Sequence, residues 1–281
     1  MHASSLEKVR AFRNAYLSER AEPIQVLDIG SGSRADGYSY RNLFPAPSFD
    51  YVGLDVEPGH NVDVVPMDPF SWSEVDTESV DVAVSGQAFE HTPYFWITAA
   101  EMSRVLRQGG FAVVIAPSKG RVHRFPLDCW RFYPDSWAAL CAYVGLDLIE
   151  TSTESTSWRT VIPGVYWGDA LMIARKPALT DETTEKAYYD RLRAIVETRA
   201  VTPVPAPGPG RASRSYRSLH SESTPRTLSK LAYRMAQPLS PDLRQPRLLR
   251  SFRRRVMAAS ERDALRRSEA AMPWPPPRQH R

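Results

Sequence analysis

Val26-Leu27-Asp28-Ile29-Gly30-Ser31-Gly32-Ser33 is answered 27 positions after Asp28 by Tyr51-Val52-Gly53-Leu54-Asp55. An apolar run ends at a carboxylate and breaks into glycines, and a second apolar run ends at another carboxylate. Two neighbouring strands of a parallel α/β sheet have this form when they build a nucleotide pocket. Gly30 and Gly32 let the backbone turn tightly and bring bare N–H groups up to a ligand. Asp55, at the tip of the second strand, can accept hydrogen bonds from both hydroxyls of a ribose. The loop lacks the Lys-Ser/Thr ending of an ATP or GTP phosphate loop. Arg34 stands where a third glycine would serve a dinucleotide pyrophosphate. From these residues alone the alternative is an ordinary strand-to-loop turn with an acid downstream.

Working outward, short apolar runs alternate with helical patterns. The runs are Ile24–Leu27, Tyr51–Leu54, Val62–Val65, Val80–Val84 and Phe111–Ala116. Such alternation predicts right-handed βαβ units and a parallel sheet. Leu6, Val9, Phe12 and Ala15-Tyr16 recur at helical spacing and predict an opening amphipathic helix over the sheet edge. Further helices are expected at Trp96–Arg107 and at Pro134–Tyr143, the latter with proline at its start. Leu146–Thr151 and Ala170–Arg175 predict two last strands, and Thr180–Ala200 one charged helix.

The opening run resembles motif I of class I S-adenosylmethionine-dependent methyltransferases, and three later segments resemble that family's small-molecule, type 11-like branch in the same order. They are Val62-Asp63-Val64-Val65-Pro66-Met67-Asp68-Pro69-Phe70, the strand-end Ser85-Gly86-Gln87-Ala88-Phe89-Glu90-His91, and Glu101–Phe111 with its Gly109-Gly110 turn. The resemblance covers about Ala3 to Pro177. It implies a Rossmann-like, mostly parallel seven-stranded sheet with helices on both faces and an antiparallel hairpin at one edge. It also implies S-adenosyl-L-methionine as cofactor. Gly30 and Gly32 would then contact its amino acid end, and Asp28 would fix that loop or the ammonium group. Asp55 would take the ribose, and Asp68 the adenine amino group, with Pro69 and Phe70 beside it. Asp63 competes with Asp68 for that last role. The polar, aromatic loop Arg34–Arg41 resembles a sub-branch associated with glycan or secondary-metabolite assembly.

Ala116–Pro134 follows the fifth expected strand, at the sheet edge where ligands bind in open α/β folds. It carries His123, Asp128, three arginines and four aromatics. His123 is a candidate general base oriented by Asp128, because histidine titrates near neutrality. His91, after the fourth strand, is the other candidate. Trp130, Arg131 and Tyr133 are expected to line an acceptor pocket, with Trp130 and Tyr133 as its walls. His91, His123 and the nearby acids show no metal-ligand spacing in sequence, so no metal is expected.

Charge divides the chain. Residues 1–200 carry 19 Lys/Arg against 27 Asp/Glu, and residues 201–281 carry 17 against 5. The expected organisation is a methyltransferase domain over 1–177 and a charged helix over 178–200. A Pro/Ser/Arg-rich linker over 201–223 and a basic, largely disordered tail over 224–281 follow. In that tail Leu248, Leu249, Phe252, Val256 and Ala259 share a helical face among arginines, a pattern suited to an anionic membrane or an acidic partner. Cys129 and Cys141 make no disulfide framework, no apolar stretch approaches the ~20 residues of a membrane span, and the N-terminus lacks a signal-peptide pattern. A cytoplasmic protein is expected, with the tail at the inner membrane face. The expected activity is methyl transfer to a small polar acceptor, a hydroxyl of a sugar, glycan or natural-product intermediate. Two alternatives stand beside it. A nucleic-acid methyltransferase would suit the basic tail, but the Asn/Asp-Pro-Pro-Tyr/Phe signature is missing, so nucleic acid is not the expected partner. The other is a non-catalytic binding or scaffold protein of the same fold.

Overall fold

A computed structural model describes residues 3–17, 22–33, 39–120, 122–154 and 168–201, all within the compact unit Met1–Pro209. Its strands are β1 (Ile24–Ile29), β2 (Phe49–Leu54), β3 (Val80–Gly86), β4 (Leu106–Pro117), β5 (Asp147–Thr153) and β6 (Asp169–Arg175). They form one sheet in the order β2-β1-β3-β4-β6-β5. β1 pairs in parallel with both β2 and β3, and β3 with β4, while β6 runs antiparallel between β4 and β5. The chain leaves β1 outward to β2 and returns past β1 to β3. The order therefore reverses between β1 and β3, and the crevice outside their carboxyl ends is where an open α/β sheet binds its ligand.

The central strands are apolar on both faces, as strands covered on both sides must be. One face packs Val26, Val82, Val84, Val113 and Ile115 against Val9 and Phe12 of α1 (Ala3–Tyr16). The other packs Leu27, Ala83, Val114, Ala116 and Met172 against α2 (Phe95–Val105), α3 (Pro134–Val144) and α4 (Glu182–Glu197). Each fully buried Val, Leu, Ile or Phe contributes about 1.5–3 kcal/mol relative to exposure. α3 starts on Pro134 and stops at Gly145, whose φ of 76° is left-handed. α4 is capped by Asp181, which accepts a hydrogen bond from the Thr184 N–H (2.9 Å). Tyr188, Leu192, Ile195 and Val196 bury one stripe of α4 in the same core as α2 and α3.

Three expectations are corrected. Among the described residues the sheet has six strands, where seven were expected. Val62–Val65 makes only one bridge, Leu54 to Val64, because the Asp63 carboxylate takes the Gly53 N–H (2.7 Å) and Pro66 brings no donor of its own. The opening helix lies across a sheet face rather than along its edge, since Val9 and Phe12 meet the central strands. The Gly109-Gly110 pair does not separate a helix from a strand. β4 begins at Leu106, and the pairing jumps from Val80–Leu106 to Val82–Phe111, so residues 107–110 bulge, with Gly109 at φ 78°. The expected antiparallel edge hairpin forms, with β5 outermost and β6 between it and β4. Among the described residues no helix is long and apolar enough to cross a membrane. The expected linker, basic tail and tail helix lie outside the described residues, as do Arg34–Tyr38.

Candidate active site

β1 delivers Gly30 and Gly32 to the crevice. Gly30 has φ 75°, and a side chain there would put its Cβ 2.4 Å from the Ala88 Cβ in the loop after β3. Its N–H donates to the Leu54 carbonyl (2.9 Å), which ties the glycine turn to the end of β2. The Gly32 N–H donates to Asp55 Oδ2 (2.8 Å), and the Val56 N–H to Asp55 Oδ1 (2.7 Å). A Cβ on Gly32 would stand 2.8 Å from Asp55 Oδ2. Gly30, Gly32 and Asp55 therefore share one small cradle. A carboxylate offers about four acceptor positions, so two remain on Asp55 beside these N–H groups.

Asp28 sits beneath this cradle and is only 1% exposed. The Tyr51 hydroxyl donates to its Oδ2, and its Oδ1 is buried without a hydrogen-bond partner among the described residues. Burial pushes the Asp28 pKa up to about 7, against the opposing bond from Tyr51. Asn61, at φ 69°, donates its amide to the Ser31 carbonyl (3.0 Å) and the Tyr51 hydroxyl (3.1 Å). The Arg41 guanidinium lies over the Tyr51 ring, 4.5 Å from its centroid, and donates to Asn61 Oδ1 (2.7 Å). Sequence reasoning missed Tyr51, Asn61 and Arg41. A polar residue in the left-handed region has no reliable signature, and the contacts join segments 10 to 30 residues apart.

The two candidates for the adenine contact part company. Asp63 accepts from the Gly53 N–H (2.7 Å) and from Arg41 (2.5 Å), as a brace for the turn. Asp68 accepts from the Phe70 N–H (2.9 Å) and pairs through its other oxygen with Arg199 Nε (2.6 Å), just beyond α4. Pro69 gives its carbonyl to the Trp72 indole (3.1 Å), and Phe70 is buried against Tyr94.

Across the crevice, β3 runs into Glu90 and His91, and the loop after β4 folds back over them. The N–H groups of Cys129 and Trp130 donate to the Glu90 carbonyl (2.7 and 3.3 Å). His91 Nδ1 lies 2.5 Å from the Leu127 carbonyl, and its Nε2 lies 3.6 Å from Glu90 Oε1. The His91 and His123 rings meet edge to face with centroids 4.8 Å apart. His123 Nδ1 is 3.3 Å from Asp128 Oδ2, which also accepts the His123 N–H (2.6 Å). Arg131 donates to both Asp128 oxygens (2.5 and 2.9 Å). Burial opposes the Asp128 charge, yet Arg131 and the His123 N–H hold its pKa below the ordinary range. Burial holds His91 below its usual value. Glu90 is fully buried, and burial pushes it up to about 8.

The structure thus brings His91, His123 and Asp128 together as the sequence reading expected. It corrects the expectation that the histidines and nearby acids would form no cluster. One ligand atom from each of Glu90, His91 and His123 lies within 4.8 Å of the others, because the loop returns across 32 residues of sequence to sit on β3. Of the expected pocket residues, Tyr133 is 57% exposed at the rim. Trp130 donates its indole N–H to the Thr92 and Pro93 carbonyls and packs edge-on to Phe95 and Trp96, so only part of its ring is open. Arg131 is bound to Asp128 and the Trp130 carbonyl. Phe132 stacks on Trp137 in the core (4.4 Å). The one residue of the cluster that sequence reading treated only as part of a motif is Glu90, whose burial no pattern announced.

Residues 27–114, from β1 into β4, match a family model described as a methyltransferase domain. A protein of Mycobacterium ulcerans (strain Agy99), described as an uncharacterized methyltransferase, is 31% identical over 112 residues, covering 35% of this chain and 42% of that protein. A protein of Mycobacterium marinum (strain ATCC BAA-535 / M) with the same description gives the same figures. The chain thus spans about two fifths of the length of these curated relatives. It also resembles the structure of Burkholderia thailandensis 1,6-didemethyltoxoflavin-N1-methyltransferase with bound 1,6-didemethyltoxoflavin and S-adenosylhomocysteine. That likeness has a TM-score of 0.47 at 18% identity, over 62% of this chain and 79% of the other. Over residues 27–114 the chain is thus similar to methyltransferase domains, a likeness that implies use of S-adenosylmethionine.

The donor side fits that cofactor. A glycine cradle that any Cβ would fill, an Asp55 with acceptor positions left, and a buried Asp28 oxygen without a partner all lie at the switch point of the sheet.

Proposed function

We propose that the chain transfers the methyl group of S-adenosylmethionine to a hydroxyl of a small polar acceptor, a sugar, glycan or natural-product intermediate. The observation that carries the reading is the cradle of Gly30, Gly32 and Asp55 facing, across the β1–β3 crevice, the loop that bears His91 and His123. When bound, the cofactor supplies an electrophilic methyl group. Gly30 and Gly32, where any Cβ would intrude, leave room for its amino acid end, above Asp28, which holds β1 to β2 through Tyr51. Asp55 takes the ribose, and Asp68 with Pro69 borders the adenine. The chain's remaining task is to hold the acceptor oxygen in line with the methyl carbon and dispose of its proton.

The polar cluster of His91, His123 and Asp128 is suited to that task. Arg131 fixes Asp128, Asp128 holds the His123 backbone N–H, and the Leu127 carbonyl fixes the His91 ring. Tyr133, the open part of Trp130 and the 57%-exposed Phe125 surround the cluster and offer apolar faces to a sugar or a fused-ring acceptor. Both cysteines are free thiols, which suits a reducing cytoplasm. The acidic body of residues 1–200 repels nucleic acid, and we leave the basic tail as a contact for an anionic membrane or acidic partner.

Transfer of labelled methyl from S-adenosylmethionine into an extract of small molecules, with mass identification of the product, tests this function. A product methylated on a hydroxyl supports it. Label confined to nucleic acid, or no transfer at all, contradicts it.

A further inference from the structure

We propose that Glu90, His91 and His123 bind a divalent first-row transition cation such as Zn²⁺, at the acceptor side of the crevice. Cation binding itself is independent of the proposed methyl transfer; its use against the acceptor rests on that reading.

Three observations carry the site. One donor atom from each residue lies within 4.8 Å of the other two. Glu90 is fully buried, and neither of its carboxylate oxygens has a hydrogen-bond partner among the described residues. A carboxylate removed from water normally finds a cation, a metal or several donors. A ring nitrogen of His91 stands 3.6 Å from Glu90 Oε1, too far for a hydrogen bond. The third observation is the outer shell. A metal-bound histidine usually gives its other ring N–H to a carbonyl or a carboxylate, which fixes tautomer and orientation. His91 has the Leu127 carbonyl at 2.5 Å from Nδ1, and His123 has Asp128 Oδ2 at 3.3 Å from Nδ1. For His91 this leaves Nε2 as the ligand atom.

The donor set selects the ion. Two imidazoles and one carboxylate suit zinc, iron, cobalt, nickel or manganese, whereas magnesium and calcium take oxygen shells. Bonds of ~2.0–2.1 Å place tetrahedral donor atoms roughly 3.3 Å apart, so the 4.8 Å spread closes by about 1.5 Å on binding. His123, whose side chain is 35% exposed on a surface loop, can supply that movement. Arg131, the nearby competing cation, is already paired with Asp128. Three protein ligands leave a fourth position open, the pattern of catalytic rather than structural zinc sites. An acceptor hydroxyl in that position would release its proton to solvent water more readily, because the cation stabilises the oxyanion that attacks the methyl carbon as the sulfur–methyl bond of the donor breaks and S-adenosylhomocysteine leaves. His91 and His123 would then serve as ligands.

The test uses the tag-free full chain, stripped with a chelator and titrated with ZnCl₂ against a chromophoric competitor. One equivalent should bind tightly. Glu90→Gln and His123→Gln should each weaken it at least 100-fold, and Asp128→Asn, acting through His123, about 10- to 100-fold. Circular dichroism and S-adenosylhomocysteine titration of the same variants report folding and donor binding separately. His123→Gln changes an exposed loop, so it remains informative if Glu90→Gln fails to fold. No tight equivalent in the wild type, or unchanged affinity in folded His123→Gln, would overturn the proposal. Loss of zinc with donor binding intact leaves the methyl-transfer reading standing, and the reverse leaves the metal site standing.

Discussion

The Tyr51 hydroxyl on β2 donates to the buried Asp28 carboxylate on β1. This one bond fixes two strand ends at the point where the sheet reverses its order, and the glycine cradle stands on it. Tyr51→Phe leaves a second Asp28 oxygen buried without a partner. A loss of about 1–3 kcal/mol in urea unfolding is expected, since the orphaned group retains its desolvation cost. A change below about 0.5 kcal/mol would mean that the bond does not hold the strands.

Asp28 also makes stability depend on pH. Its folded pKa, about 7, is raised above the unfolded value, so the acid favours folding when protonated. That contribution is full below about pH 4 and is lost as pH rises to about 7, at up to roughly 1.4 kcal/mol per unit. Asp28→Asn lacks this slope. Unfolding free energies of wild type and variant, compared from pH 4 to 7, should diverge in favour of the variant. Parallel curves would show that Asp28 does not titrate in this window.

Gly30→Ala combines a left-handed backbone with a Cβ 2.4 Å from that of Ala88. The strain and overpacking should cost about 2 kcal/mol or more. Donor affinity should fall as well, because the turn that carries Ser31 and Gly32 must shift. Thermal melting together with S-adenosylhomocysteine titration reads both effects.

Asp68 and Arg199 separate two roles by a pair of variants. Their ion pair is partly exposed, so Arg199→Ala should change stability by less than about 1 kcal/mol. It should also leave donor affinity within about threefold. Asp68→Ala should weaken the donor about tenfold, the loss of one hydrogen bond to a charged group. Equal effects of the two substitutions would assign Asp68 to the α4 contact instead of the adenine.

The fold was legible where local pattern decides it. The strand-glycine-acid sequence of 26–33 and 51–55 placed β1, β2 and the crevice, and the alternation of both-face apolar runs placed the central sheet. Val62–Val65 misled because its four apolar residues satisfy the strand pattern, while Asp63 folds back on the Gly53 N–H. α1 misled in position only: its periodicity gives a buried stripe, and nothing in 14 residues says which surface will cover it. In the candidate site, the meeting of His91, His123 and Asp128 was legible because the segments that follow β3 and β4 leave the same carboxyl edge of the sheet. Tyr51, Asn61 and Arg41 were hidden, since their bonds link segments whose proximity exists only in the folded chain. The isolation of Glu90 follows from the loop closing over it, a tertiary event without a local signal.

The donor cradle is the centre of the account, and calorimetric titration with S-adenosylhomocysteine tests it most directly. Wild type should bind one equivalent. Asp55→Ala, with an unchanged circular dichroism spectrum, should bind at least tenfold more weakly because the ribose contact and the Gly32 N–H both lose their acceptor. No heat with the wild type, or equal affinity in the folded variant, would contradict the assignment of this crevice to the methyl donor.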